Sequence, residues 1–515
     1  MIKAVFILIS LFSFTLINGQ SVDIRDVTNK NILRQINEDP TLTAMGKGAL
    51  FVPYIVDPIL EPPYTIYQDG EYIRDAEKGR RVQLNPGNYQ IYIGSGPIDM
   101  RIKLDVTIEE ERTRVVLPTW SALIVLTIDQ SNNSLRESYQ IVNEQTKIQI
   151  GAGTGADIIR GEQEQVWILK PDLYRITRRG EAPNSFQNFV TVRTQRGKLS
   201  TVQMVFDEKT RFIVGGGEVI SDIQDYAKKG KWSFKAMISA NFSLVNSGYI
   251  SGGTGSTNDI SLGSTLNASV LYDDINYLFI NRLELTEQFL KPDKDKLRFI
   301  KDLLRFESSF IYRFNRYVGP YVSFRLRAPL FNKHFKTGSD PDDLTTVEEE
   351  DGSIRELDPE TNFTYAKSFS ATTLQQGAGL NADFNYGNIF QITARAGWGH
   401  RQDFNKFNYD ISKLSETNEI TRMNYFNHQY GPEFYLYFSI FPLSFLEIRE
   451  EFEALIPVEN TKNFSFLSKS SAFLWISRFA AIQYEFILEK SPTKADTKTI
   501  TSEHTLTVQV YYNFL

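Results

Sequence analysis

The sequence predicts an all-β chain: N-terminal β-sandwich repeats followed by an antiparallel transmembrane β-barrel of about 12 strands. Three observations carry this. From Trp232 to Leu515, apolar and polar residues alternate in stretch after stretch. Between residues 48 and 215 a sequence pattern recurs once. Beyond the N-terminal segment there is no run of about 18 apolar residues, so any membrane crossing falls to strands.

Residues 1–19 read as a signal peptide. Lys3 gives a basic start, Ala4 to Ile17 an apolar run, and Gly19 a small residue at the cut site, leaving Gln20 as the new N-terminus. Residues 20–47 form a polar extension, in which Asn29 to Glu38 reads as a short helix capped by Asn29. The chain has no Cys, which excludes disulfides, thiol catalysis and lipid attachment through Cys. A net charge of −6 gives no footprint for nucleic acid. Aromatic residues make up 13%, with 25 Tyr and 37 Phe against 5 Trp, as interfacial girdles of membrane strands require.

Two sandwich units are read at 48–130 and 131–215. Leu84-Asn-Pro-Gly-Asn-Tyr-Gln-Ile-Tyr-Ile93 aligns with Leu169-Lys-Pro-Asp-Leu-Tyr-Arg-Ile-Thr-Arg178. Val106-Thr-Ile-Glu with Arg114-Val-Val-Leu-Pro118 aligns with Val190-Thr-Val-Arg and Val202-Gln-Met-Val-Phe206. In each copy a proline turn leads into a strand bearing tyrosine, then a hairpin, then a closing strand. With Asp69-Gly-Glu-Tyr72 ahead of Leu84, the first copy resembles PEGA-type β-sandwich repeats of bacterial envelope proteins. The second carries Asp172 where the glycine would be. That resemblance implies an adhesive or spacer module rather than a catalyst.

Gly215-Gly-Gly217 reads as a break, and 216–231 as a linker. Val219, Ile220, Ile223 and Tyr226 stand there at helical spacing. Within 232–515, twelve strands are expected: 232–244, 259–272, 275–287, 303–315, 318–330, 369–386, 388–401, 430–440, 444–456, 463–476, 478–490 and 499–514. Short turns alternate with longer loops at 245–258, 288–302, 331–368, 402–429, 457–462 and 491–498. In bacterial barrels short turns face the periplasm, which puts both barrel ends and the sandwiches on that side. Even-numbered apolar residues are expected to face lipid. The third strand is the exception, with Ile275, Tyr277, Phe279, Leu283 and Leu285 at odd positions. Trp232, Tyr272, Phe314, Tyr386 and Tyr512 would form one girdle, with Trp398 near the outer end of the seventh strand.

The final stretch, Thr505 to Leu515, resembles the last strand of Gram-negative outer-membrane β-barrel proteins, although Phe514 is penultimate. The resemblance implies an assembly signal at Tyr512, Phe514 and Leu515, with outer-membrane lipid and the barrel assembly machinery as partners.

The lumen is expected to carry Arg282, Glu284, Arg305, Glu307, Arg313, Arg325, Arg327, Arg395, Glu447, Arg449, Glu451, Glu453 and Glu485, neutralising one another in pairs. The 331–362 loop is acidic but lacks ordered ligand spacing, so a mobile solvated loop is expected there rather than a calcium site. Four His, no G-x-S-x-G elbow, no H-E-x-x-H and no P-loop leave no catalytic, cofactor or metal site to expect. The expected role is a non-catalytic barrel anchoring periplasmic sandwiches that bind an envelope partner, protein or cell-wall glycan. A channel or transporter with a charged lumen is the alternative, and an outer-membrane hydrolase a third.

Overall fold

The computed structural model describes residues 21–22, 30–130, 132–181, 189–207, 211–219 and 231–510, except 249–255, 275, 292–297, 316, 338–344, 350–351, 387–388, 411–418, 444, 462–463, 478–479 and 491–499. The signal segment, the Asn29 cap, Ile275, the helical part of the linker and the assembly signal lie outside the described residues, as does the Tyr386 side chain.

The N-terminal half contains two sandwiches built to one plan. In the first, strands Arg112–Val115, Gly48–Phe51 and Arg81–Leu84 neighbour one another in that order. The facing sheet runs Glu71–Ala76, Tyr64–Gln68, Gly87–Ile93, Ile102–Ile108. In the second, Leu199–Phe206, Ser121–Asp129 and Val166–Leu169 take the first order. Gln149–Thr154, Ser138–Asn143, Leu173–Arg178 and Phe189–Arg193 take the second. Even the parallel pairing of first and last strand is shared: Leu50 lies opposite Arg114, and Val125 opposite Val202.

Two sequence expectations change. Ser121–Asp129, left in the first unit by a boundary at 130, is the second sandwich's own first strand. Gly215-Gly-Gly217 is not a break; it lies in strand Ile213–Glu218, antiparallel to Leu199–Phe206. A Cβ on Gly216 would press 2.7 Å from both Gln203 O and Val190 Cγ2, so glycine lets this edge strand run close to the sheet.

The two sandwiches are fused through Ser121–Asp129, buried along its whole length. Ala122, Ile124 and Leu126 pack with Ile66, Ile91 and Trp120 in the first core. Leu123 and Val125 pack with Trp167, Tyr174 and Met204 in the second. Alternation thus feeds both cores from one strand. Ser95 adds a polar tie, its N–H donating to Ile168 O at 2.8 Å and its Oγ accepting from Ile168 N–H at 2.9 Å. Helix α1 (Lys30–Glu38) lays Ile32 and Ile36 on Phe51.

Among the described residues the C-terminal half is one sheet whose main path is twelve antiparallel strands. They are β1 (Lys231–Gly248), β2 (Ser256–Asp273), β3 (Tyr277–Lys291), β4 (Arg298–Tyr312), β5 (Val318–Ala328), β6 (Ala371–Tyr386), β7 (Phe390–Asp410), β8 (Glu419–Leu443), β9 (Leu446–Leu455), β10 (Ser465–Ser477), β11 (Ala480–Lys490) and β12 (Thr501–Val510). All twelve expected strands are present. One face is apolar and open: Phe234 is 72% and Leu506 67% exposed. The odd phase of β3 also holds. Phe279 pairs with Phe310 and Leu283 with Phe306, while Leu278 on the other face is buried. Trp232, Tyr272 and Phe279 cluster at the short-turn end, as do Tyr277, Tyr312 and Phe314.

The long connections differ from expectation. Most of 402–429 is a continuation of the β7–β8 hairpin, so Trp398 sits within β7 rather than near its end. The acidic loop is built, not simply solvated. Lys333–Lys336 pairs with Asn362–Ala366, and Thr345–Glu348 pairs with Ile354–Leu357. Thr345–Glu348 also lies alongside β8, and Val347, Leu357 and Ile420 form a small buried cluster that pins it. Among the described residues no helix is long and apolar enough to cross a membrane.

Candidate functional site: a sandwich loop held inside the twelve-strand sheet

The two sandwiches differ most in one connection. The first passes from Glu71–Ala76 to Arg81–Leu84 through residues 77–80 alone. The second uses residues 155–165 at the equivalent place, with a short 3-10 turn at Ile158–Arg160. Gly161 closes that turn at φ +82°, a conformation that side chains resist. A Cβ there would also collide with Ile311 of β4.

The sheet curls around this loop. On one side Gly161 meets β4. On the other, Arg160 donates to Glu453 of β9 at 3.1 Å and stacks 3.9 Å above the Tyr435 ring of β8. Arg395 of β7 donates to Ile159 O at 3.2 Å, and Thr393 Oγ1 to Glu162 at 2.8 Å. Strands far apart in the sheet order therefore face one another across the loop. Tyr321 of β5 hydrogen-bonds Glu433 of β8 directly.

Arg136 centres the network. Its Nε lies 3.0 Å from Glu162, and its Nη1 donates to Tyr435 Oη at 2.6 Å. Asp157 and Glu451 stand at 3.6 Å, and the guanidinium lies 4.1 Å from the Tyr437 ring centre. A second cluster joins Glu137 and Ser138 to β9. Ser138 Oγ donates to Glu447 at 2.9 Å, Arg449 reaches the same Oγ at 3.1 Å, and Arg211 Nε donates to Glu137 at 2.6 Å. Arg179 rests on Phe441 and Arg211 on Phe473. A buried charge is tolerated only when paired and hydrogen-bonded, and these groups meet that condition jointly.

The charges expected in the lumen divide into two sets. Within the sheet, Arg282 lies opposite Glu307, Arg305 bonds Glu284 at 3.1 Å, and Arg325 bonds Glu307 at 3.0 Å. Arg313 bonds Asp273 at 2.8 Å, and Lys469 bonds Glu485 at 3.2 Å. The other set, Arg395, Glu447, Arg449, Glu451 and Glu453, finds partners on the sandwich loop or on Arg136, Glu137 and Ser138. Arg327 has no ion-pair partner among the described residues and stands opposite Arg305. Arg136, Glu137, Asp157, Arg160 and Glu162 were not singled out from sequence. The sign was available in the repeat itself, where the second copy carries the longer, charged connection.

Beside the loop the curled sheet lines a half-open cavity of about 470 Å³, to which Ile159 and Arg160 also contribute. Of the histidines, His400, His428 and His504 lie among aromatic residues of β7, β8, β11 and β12. His504 Nδ1 is 2.8 Å from Tyr484 Oη, and His334 Nδ1 is 2.8 Å from Thr364 Oγ1. Among the described residues no three His, Asp or Glu side chains are grouped as metal ligands. No protein-family model and no curated protein matches the chain.

Proposed function

We propose that the protein is an outer-membrane barrel that holds a rigid double sandwich at its periplasmic mouth, where the sandwich binds another envelope component, a protein or cell-wall glycan. The observation that carries this is the docking of loop 155–165 by the buried Arg136–Glu162–Tyr435 network. A free tether needs no such contact. Gly161 of the loop meets Ile311 at the end of β4, and Arg179 of the second sandwich meets Phe441 at the end of β8, both beside short turns. Short turns on the periplasmic side put the sandwiches there too. The open apolar face and its aromatic clusters suit a lipid surround, and the resemblance of the repeats to PEGA-type modules suits binding rather than chemistry. Insertion through the barrel assembly machinery belongs to the same reading.

A channel or transporter is the second reading, favoured by the cavity beside the loop. Planar-bilayer recording separates the two. The anchor predicts no steady conductance from the native protein, and a steady pore when residues 155–165 are replaced by the chain's own 77–80 connection. Steady conductance in the native protein would overturn the anchor and favour the channel.

A further inference from the structure

The cavity beside the loop carries an unbalanced charge. Its lining includes seven cationic side chains against four acidic ones. Three of the four acids are already engaged, Glu307 by Arg325, Glu453 by Arg160 and Glu433 by Tyr321, while Glu489 is exposed on β11. Arg305 is held from outside the cavity by Glu284, and Arg401 by Asp403. Arg395 bonds Asn381 and Ile159 O, Lys490 lies over the Phe464 ring, and Arg327 has no ion-pair partner among the described residues. In the β4–β5 register it stands directly opposite Arg305. Opposed residues on antiparallel strands have Cβ atoms roughly 5 Å apart, and like charges there repel. Arg325 lies two residues away on the same face, which makes a triangle of three guanidinium groups at the wall.

We infer that this wall is a binding site for a phosphate group on a small solute or headgroup. The guanidinium fork donates two parallel hydrogen bonds to an oxyanion, and a phosphate offers oxygens to more than one fork at once. Such a group would relieve the Arg305–Arg327 repulsion and supply the missing counter-charge. A cavity of about 470 Å³ lies in the range of roughly 300–1,000 Å³ usual for small-molecule sites. Serines 308, 309 and 323 and Thr373 also line it and offer hydroxyl donors. The site consists mainly of the sheet's own residues, so it stands whether or not the sandwiches act as an anchored adaptor.

The test is calorimetric titration of the full-length folded protein in detergent, with inorganic pyrophosphate in one arm and a short-chain phosphatidate in the other. Saturable binding is expected, weakened about tenfold or more in Arg327→Gln by loss of charge-assisted bonds. Arg355→Gln, in the structured acidic loop, should bind like the native protein. Arg327 has no ion pair to lose, so its variant should keep the heat-modifiable gel shift of a folded barrel. Binding of pyrophosphate alone assigns a soluble solute; tighter binding of the phosphatidate assigns a headgroup. No saturable binding in either arm, or equal affinity in native protein and Arg327→Gln, would overturn the site.

Discussion

Tyr89 and Tyr174 make the same bond in successive sandwiches: each hydroxyl donates to the carbonyl four residues upstream, Asn85 O at 3.0 Å and Lys170 O at 2.8 Å. Both rings are buried. The proline turn before each strand brings the chain back so that the hydroxyl meets the turn it has just left. Removing the hydroxyl alone, by Tyr89→Phe or Tyr174→Phe, should cost about 1 kcal/mol, the worth of one hydrogen bond. Tyr89→Ala and Tyr174→Ala should each cost about 3 kcal/mol or more, as for other large aromatics lost from a core. Urea melts of a soluble 30–219 fragment measure both. Losses at 89 and 174 that differ by more than a factor of about three would break the equivalence of the two corners.

The shared strand makes a second expectation. Ser121–Asp129 supplies Ile124 to one core and Leu123 to the other, so neither sandwich is complete without it. A 30–219 fragment should therefore unfold in one cooperative transition, and a 30–118 fragment should fail to fold, because Ile66 and Ile91 lose both Trp120 and the strand that covers them. Two separate heat-capacity peaks from 30–219 would show that the sandwiches are independent.

What was legible from sequence follows from range. Period two is a local property, so Phe324 and Arg325 on β5 could be assigned to opposite faces from their neighbours alone. The odd phase of β3 was legible for the same reason. The repeat was legible because Tyr89 and Tyr174 each follow a proline turn. Pairings between distant segments were not. Arg136 meets Tyr435 across 299 positions, and nothing near either residue marks the other. Thr345–Glu348 is too short to read as a strand by itself and is held by Ile420, which lies far along the chain. Gly215-Gly-Gly217 has the composition of a break, and only its neighbour Gln203 shows why glycine suits a strand there.

The outward face offers a third test. In β5, Val322 is 56% exposed while Tyr321 beside it is buried, as the period-two alternation of a strand requires. Phe324 belongs to the outward set, its ring 6.1 Å from that of Phe306 on β4. If the proposed membrane placement holds, arginine there puts a cation on the lipid side, at a cost of about 2–4 kcal/mol near mid-membrane. Phe324→Arg should lower the fraction of protein that shows heat-modifiable migration. Assembly equal to the native protein would place this face away from lipid.

The last expectation concerns the docked loop. The chain has no cysteine of its own, so an introduced pair reports without background. Gly161→Cys with Ile311→Cys puts one sulfur on the loop and the other on β4, where a Cβ on residue 161 would meet the isoleucine side chain. Trimming Ile311 makes room for it, and the left-handed backbone at 161 adds about 1 kcal/mol of strain. Mild oxidation should link the two residues in folded protein, seen as a change in gel migration that reductant reverses. Arg136→Ala in the same background removes the group that joins Glu162 to Tyr435 and leaves the Glu162 carboxylate buried without its main cation. Breaking a buried pair in that way costs about 3–5 kcal/mol, enough to release the loop for much of the time. Cross-linking should then fall sharply while the barrel's gel shift persists. If the cysteine pair stays reduced in the parent background although both thiols react with maleimide, the loop is not seated against β4. If the link forms as fast with Arg136→Ala as without it, Arg136 does not hold the dock.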